Sequence, residues 1–405
     1  MASMRLATAL PLLLCSNSSA TSHFPEGVVG QPQEQERRCI RWQISSSDCL
    51  SDVCRWGPWL RLIVAVVVLL AFAPCTVRIV LRLQRWHSSY AQDEDSDWEE
   101  PGWIHVHTEV FRPPSSIRVL AAFVAYGWHT FAVVASVIGL GLMGQLSCDS
   151  VLHTWRFVAT LMSAWAGYVA SRFSRPKALD SNAHSMVLCL TCALCVPCSI
   201  VTVLIGDGLE LEVVGVIMYL FASAALSVLG FTAGIHNPMA LRVFKTNVIP
   251  RMIPPLGIWG QPLVACGISG LVLCLLCLEP LFVILSLWRE PACVCFSMAS
   301  IAMTLTLLTA LCVEVAIVST FQQLMHEDYR WWWRAFQTSA WLGLYLFLLA
   351  CVFCPTGRHY ALGSLVHYLA CMLAISVATA VTTGAIGMTA SFCLVRSMYG
   401  RIVID

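Results

Sequence analysis

Nine long apolar runs limit what this chain can fold into. They cover residues 59–81, 119–144, 151–171, 184–205, 211–235, 259–287, 293–321, 335–354 and 361–395. A membrane helix needs about 20 mainly apolar residues, because its backbone must satisfy its own hydrogen bonds across ~30 Å of hydrocarbon. All nine runs reach that length. The sequence therefore predicts an all-α integral membrane protein with a bundle of nine transmembrane helices.

The composition agrees with a membrane-embedded chain. Of the 405 residues, 58% are hydrophobic and 12% are charged, whereas a soluble domain carries about 25% charged residues. The mean hydropathy is +0.73. These values exclude most soluble enzymes and predict membrane lipids as partners. The formal net charge of +1 favours no other class of partner, and we expect no nucleic acid to bind.

Basic residues are concentrated in alternate gaps between the runs. The gaps after the first, third, fifth and seventh runs, together with the C-terminal tail, hold fourteen Lys and Arg residues. The opposite side has three, namely Arg289 and Arg358 in the other gaps and Arg156 near the start of the third run. Cytosolic loops of membrane proteins carry an excess of Lys and Arg, so we expect the basic gaps to face the cytosol. The C-terminus is then cytosolic and the N-terminus lumenal, as an odd number of spans requires.

The N-terminal part precedes the first run. Residues 1–20 have a weakly basic start, an apolar centre and a small-residue stretch, which is typical of a signal peptide. An uncleaved tail is the alternative. Residues 21–58 are polar and too few to bury a core, so they predict a short lumenal segment. Residues 59–405 then form the nine-span membrane domain, with a cytosolic loop at 82–117.

Two acidic residues lie inside the apolar runs. Glu279 falls in the sixth run and Glu314 in the seventh. A charged group inside a bilayer is costly and usually faces a cavity or a partner. Either the two acids line a polar groove that binds partner helices or ions, or each is hydrogen-bonded to its neighbours and holds the bundle in register.

Small residues recur at four-residue spacing in the ninth run. Gly384 and Gly387 belong to faces that let helix backbones approach closely. Such a face is either a seat for a helix of another protein or ordinary packing within the bundle. We group these glycines with Glu279 and Glu314 as a candidate groove.

Two loop segments combine aromatic and basic residues. Consecutive tryptophans flanked by arginine belong at the level of the lipid headgroups. Residues 102–112 alternate between apolar and polar side chains, which favours a short extended segment. Together they predict a cytosolic interface made of Phe111, Arg112, Tyr329, Arg330, Trp331, Trp332, Trp333 and Arg334.

Neither a metal site nor a cofactor is predicted. Four cysteines share a three-residue spacing that resembles a ligand set, namely Cys189, Cys192, Cys195 and Cys198. On a membrane helix, small polarizable residues are the simpler interpretation. No paired aspartates, serine–histidine set or HExxH motif lies on any run, so no catalysis is expected.

Four stretches of the chain resemble the transmembrane 9 superfamily, the nonaspanins. They are residues 109–114, 245–254, 327–334 and 383–392, the last leading on to Val395, Arg396 and Tyr399. They occur in order and in register with the nine runs, and the resemblance covers about residues 55–405.

The resemblance implies an all-helical protein of Golgi and endosomal membranes without enzymatic activity. Family members help other membrane proteins reach their destination and recognise glycine-rich transmembrane segments of this cargo. Two departures accompany it. The large lumenal domain of the family is reduced to residues 21–58, and Val403 stands where the retrieval signal that coat or sorting proteins read has Lys.

The sequence therefore predicts a non-enzymatic membrane trafficking factor. Its cargo would be transmembrane segments of other proteins, held in the groove of Glu279 and Glu314. The alternative is a transporter or channel that uses the same two intramembrane acids.

Overall fold

The computed structural model describes residues 102–114, 116–143, 151–174, 209–236, 260–277, 298–353 and 362–399, with shorter pieces inside 67–85 and 251–257 and at residue 281. The predicted signal peptide, the lumenal segment, the fourth run, Glu279 and the C-terminal tail lie outside the described residues.

The described residues form seven long helices. They are α1 (Ile117–Leu142), α2 (Val151–Ser174), α3 (Leu209–His236), α4 (Pro262–Leu276), α5 (Met298–Met325), α6 (Trp331–Val352) and α7 (Leu362–Tyr399). Residues 76–83 are also helical and continue the first run. No strand occurs in the described part of the chain, so the all-α prediction is confirmed there. The nine-helix count stays a prediction.

Five of these helices contain stretches long and apolar enough to cross a membrane. The stretches are Ile117–Leu142, Met218–His236, Ile301–Met325, Trp331–Val352 and Tyr368–Tyr399. Two boundaries differ from the sequence prediction. Helix α6 begins at Trp331, four residues before the run predicted at 335–354, and α4 gives way to a turn at Cys277, well inside the run predicted at 259–287.

Helix α7 lies at the centre of the described bundle. It packs against α1, α5 and α6, while α2 bridges α1 and α3, and α4 packs on α6. Water supplies no hydrophobic drive inside a bilayer, so small residues and interhelical hydrogen bonds determine which helices associate. Thr383 of α7 donates to Ser339 O at 3.0 Å, and Thr320 of α5 lies 2.7 Å from the Ser391 hydroxyl.

Helices α2 and α3 approach each other through glycine. A Cβ atom on Gly230 would collide with the backbone of Ala164, and one on Gly167 would collide with the backbone of Ser227. Both glycines are therefore required by the close approach of the two backbones.

Alternating helix ends meet at one end of the bundle. There α1 and α6 begin, and α2, α5 and α7 end, around one cluster of buried side chains. Phe173 near the end of α2 lies 5.8 Å from Phe392 of α7, measured between ring centroids. This is the relative arrangement that alternating charge in the gaps requires. The compartment that this end faces stays a prediction.

Replacing Gly230 with Ala tests the α2–α3 packing. The added methyl must displace the backbone of Ala164, so we expect a loss of about 1–3 kcal/mol in the free energy of unfolding, as for other overpacked cores. The measurement is denaturant unfolding of the purified protein in detergent.

Gly139→Ala is the matched control, because a Cβ atom on Gly139 would meet nothing within 4 Å. It should change stability by no more than about 1 kcal/mol, and in the stabilising direction, as expected for Gly to Ala in a helix. Equal effects of the two substitutions would contradict the close approach.

Candidate functional site

Residues 102–112, which precede α1, form consecutive turns instead of an extended segment. His107 N donates to Ile104 O at 3.1 Å and Val110 N to Val106 O at 3.0 Å. The prediction of an extended segment is therefore wrong. Trp103, Val106 and Val110 are buried together, and their spacing of three and four residues is helical. That spacing indicates helical turns, but the alternation of apolar and polar residues in the same segment favours a strand and hides it.

Two buried side chains of the membrane helices donate hydrogen bonds to this segment. Tyr399, in the last turn of α7, donates its hydroxyl to Trp103 O at 2.6 Å. Trp331, which starts α6, donates its indole N–H to Val110 O at 2.9 Å. The Tyr399 ring also meets the edges of Trp103 and Phe111, with centroids 5.5 and 6.1 Å apart. The segment is thus part of the core. We call residues 102–112, Arg251, residues 326–334 and Tyr399 the end layer.

The first two tryptophans of α6 face inward. Trp331 is 0% and Trp332 6% exposed. Their rings stack on each other with centroids 4.6 Å apart, and the Phe392 ring of α7 lies 6.4 and 6.3 Å from them. Trp333 is half-buried and donates to the Ser116 hydroxyl at 3.0 Å. The prediction that these tryptophans form an interface with other molecules is wrong for Trp331 and Trp332. Because the helix starts at Trp331, its first turn directs them at α7.

The other residues of the predicted interface are mostly covered as well. Phe111 is buried, while Arg112 and Tyr329 are half-buried. The side chain of Arg334 is 13% exposed and that of Arg330 64%. Of the eight predicted residues, Arg330 alone is classed as exposed, so the set does not form a continuous outer surface.

Adjacent acidic residues between α5 and α6 hold different partners. Glu327 adopts φ 59°, the left-handed region, and its carboxylate pairs with Arg251 at 2.8 Å. Arg251 also donates to His105 O at 2.8 Å. One arginine thus joins the loop before α4, the segment before α1 and the α5–α6 turn.

Asp328 is the buried member of the pair. It is 1% exposed and accepts from Arg334 at 2.5 Å, with Arg330 at 3.7 Å. Arg334 also donates to Gly260 O at 3.1 Å. The ion pair therefore ties the start of α6 both to the turn before it and to the start of α4.

A third carboxylate is buried in the segment before α1. Glu109 is 1% exposed and accepts from Arg112 Nε at 2.5 Å. This hydrogen bond is the main cause that raises the pKa of the Arg112 guanidinium. The other carboxylate oxygen, Oε1, has no hydrogen-bond partner among the described residues.

Two residues of the predicted groove, Gly384 and Gly387, are covered by another helix of the same chain. A Cβ atom on Gly384 would collide with the Phe336 ring, and one on Gly387 with the Ser339 side chain. Helix α6 of the same chain therefore occupies both positions, so these glycines are internal packing sites and leave no seat for another helix. Glu279 lies outside the described residues.

Glu314 differs from the glycines. It is half-buried on α5, and its Oε2 atom is buried with no hydrogen-bond partner among the described residues. Ala310 and Val318, one helical turn on either side, are also half-buried. The structure thus keeps Glu314 as a candidate site within a membrane span. No group of three or more metal-ligating side chains occurs in the described part of the chain.

Comparison with known proteins agrees with the helical architecture. The model of the EMP70 family, Endomembrane protein 70, matches residues 34–361. The chain belongs to the transmembrane 9 superfamily. Transmembrane 9 superfamily member 10 of Arabidopsis thaliana is 29% identical over 86% of this chain and 57% of its own length. Member 4 of Homo sapiens is 25% identical over 97% of this chain and 66% of its own length. No solved structure matches the chain.

This chain therefore spans between about half and two thirds of the length of these transmembrane 9 relatives. Three of the four stretches that carry the nonaspanin resemblance contribute described residues to the end layer. Residues 109–112 lie under Trp331 and Tyr399, Arg251 belongs to the second stretch, and residues 327–334 form the third. The buried residues of 109–112 and 327–334 therefore serve the internal packing of the bundle.

Asp328→Asn tests the buried ion pair. Removing one charge leaves Arg334, whose side chain is 13% exposed, without its carboxylate, and breaking a buried pair costs about 3–5 kcal/mol. We expect that loss in the free energy of unfolding, measured in detergent.

The neighbouring Glu327→Gln is the control. Its pair with Arg251 is solvated, with side chains 25% and 43% exposed, so its loss should cost at most about 1 kcal/mol. A larger effect for Glu327 than for Asp328 would contradict the assignment of Asp328 as the structural member.

Proposed function

We propose that this protein is a non-enzymatic trafficking factor that assists the localisation of other membrane proteins. Its family places it among the membrane proteins of the endomembrane system. The cargo would be transmembrane segments of other proteins, glycine-rich ones above all, docking laterally on α5 beside Glu314. Golgi or endosomal membranes are the proposed location, and coat or sorting proteins would bind the C-terminal tail.

The observation that carries this proposal is the unpaired carboxylate oxygen of Glu314. It is buried within a span and has no hydrogen-bond partner among the described residues. Burying a polar group without a hydrogen bond costs free energy, and acids in membrane spans face partners or cavities. A polar or backbone group of a bound helix would supply the missing partner.

The surroundings of Glu314 favour a helix as that partner. Ala310, Glu314 and Val318 lie one turn apart along α5, and each is half-buried. A small side chain at Ala310 allows a neighbouring helix to approach closely. A glycine-rich helix in turn exposes its own backbone carbonyl groups, which a protonated carboxylic acid can bind as a donor.

Glu314→Leu should weaken capture of a glycine-rich transmembrane peptide by about five- to thirtyfold, since interhelical hydrogen bonds in membranes are worth roughly 1–2 kcal/mol in peptide systems. The measurement is binding of the labelled peptide to the purified protein in nanodiscs. Glu314→Gln, which keeps a donor and an acceptor, should retain most of the affinity.

Thr306→Val is the control. Its hydroxyl already donates to Ala302 O of the same helix at 2.8 Å, so no partner waits for a cargo group there and the affinity should not change. Unaltered capture by Glu314→Leu would refute the groove. Solute flux in proteoliposomes that Glu314→Gln abolishes would favour a transporter instead.

A further inference from the structure

Glu314 lies close to the midplane of the bilayer. Thirteen residues of the span Ile301–Met325 precede it and eleven follow it. Because a helix rises by about 1.5 Å per residue, the acid lies about 17 to 20 Å from either end of the span. Directly after the span, the chain carries Glu327, Asp328 and Arg330. These charges mark the edge of a hydrocarbon layer ~30 Å thick, so the carboxylate lies about halfway across it.

A stripe of small side chains leads from the start of α5 to this acid. Ala302, Thr306 and Ala310 precede Glu314 at four-residue spacing, which places all four side chains along one face of the helix. Ala302 and Ala310 are half-buried, and Thr306 is exposed. Val318, one turn beyond the acid, is larger. Small side chains let a second helix approach closely, so the closest approach occurs along the part of α5 that ends at the carboxylate.

We propose that this site selects cargo helices by the depth of their glycine residues. A helix is captured when its glycines lie at the middle of its own span, opposite Glu314, and is rejected when they lie near an end. The inference rests on the proposed cargo function and specifies the cargo further. Both helices cross the same hydrocarbon layer, so their midpoints lie at the same depth. A central glycine then exposes its backbone carbonyl group next to the carboxylic acid and allows the close approach.

Glycine content alone does not satisfy the site. The Oε2 atom of Glu314 is buried without a hydrogen-bond partner among the described residues, and a hydrogen bond requires a partner within about 3 Å. Two helical turns rise by about 11 Å, so a glycine displaced by that distance along the cargo helix is out of reach. The other polar side chain of the stripe offers no second depth, because the Thr306 hydroxyl already donates to Ala302 O at 2.8 Å.

The test is binding of labelled transmembrane peptides to the purified full chain in nanodiscs. Two leucine-rich peptides have the same length and composition and differ only in the order of their residues. One carries its glycines at the centre, and the other carries them at least two turns from the centre. The wild-type protein should bind the first about tenfold more tightly, as expected for one interhelical hydrogen bond. Glu314→Leu should bind both peptides equally, with the weaker affinity.

Ala310→Leu tests the close approach separately. It keeps the carboxylate but adds a bulky side chain one turn before it, so the preference for the central glycines should also be lost. Ala222→Leu is the matched control, because it adds the same side chain at an exposed position of α3. This variant should keep the tenfold preference.

Equal binding of the two peptides by the wild-type protein would overturn selection by depth and leave the cargo function standing. A preference that survives both Glu314→Leu and Ala310→Leu would overturn the assignment of the site. Failure of the wild-type protein to bind either peptide would refute the proposed cargo function, and the inference with it.

Discussion

The end layer depends on hydrogen bonds that two buried aromatic residues donate to a non-helical backbone. Trp331 and Tyr399 satisfy the carbonyl groups of Val110 and Trp103. An unpaired carbonyl in that position would cost free energy, because no water reaches it. One residue starts α6 and the other lies in the last turn of α7. The two bonds therefore fix the segment before α1 against α6 and the central helix α7.

Charge pairs extend this layer outward in order of decreasing burial. Asp328 and Arg334 are almost fully covered and connect α6 to the start of α4. Arg251 and Glu327 are more exposed and connect three separate loops. A covered pair cannot be broken cheaply, whereas a solvated pair contributes little. The Asp328–Arg334 pair thus holds the start of α6 against the start of α4. The Arg251–Glu327 pair holds the surface loops together and contributes little to stability.

The helical architecture was predictable, but the roles of particular residues were less so. Apolar length alone identified the described helices, because a membrane span allows little else. The tryptophans were placed at headgroup level since their sequence does not reveal that α6 starts at Trp331. From the sequence, Gly384 and Gly387 fit either a seat for another helix or internal packing, and the neighbouring Phe336 and Ser339 decide for internal packing. Glu314 was found from its position in an apolar run, although its unpaired oxygen required the structure.

The described residues of the nonaspanin motifs at 109–112 and 327–334 therefore build the frame, while the proposed cargo site at Glu314 lies elsewhere. Hydrogen exchange of residues 102–112 in nanodiscs tests the frame most directly. The account predicts that the amides of His107, Glu109, Val110 and Arg112, all hydrogen-bonded in turns, exchange as slowly as those of helix α1. Exchange as rapid as that of a solvated loop would contradict it.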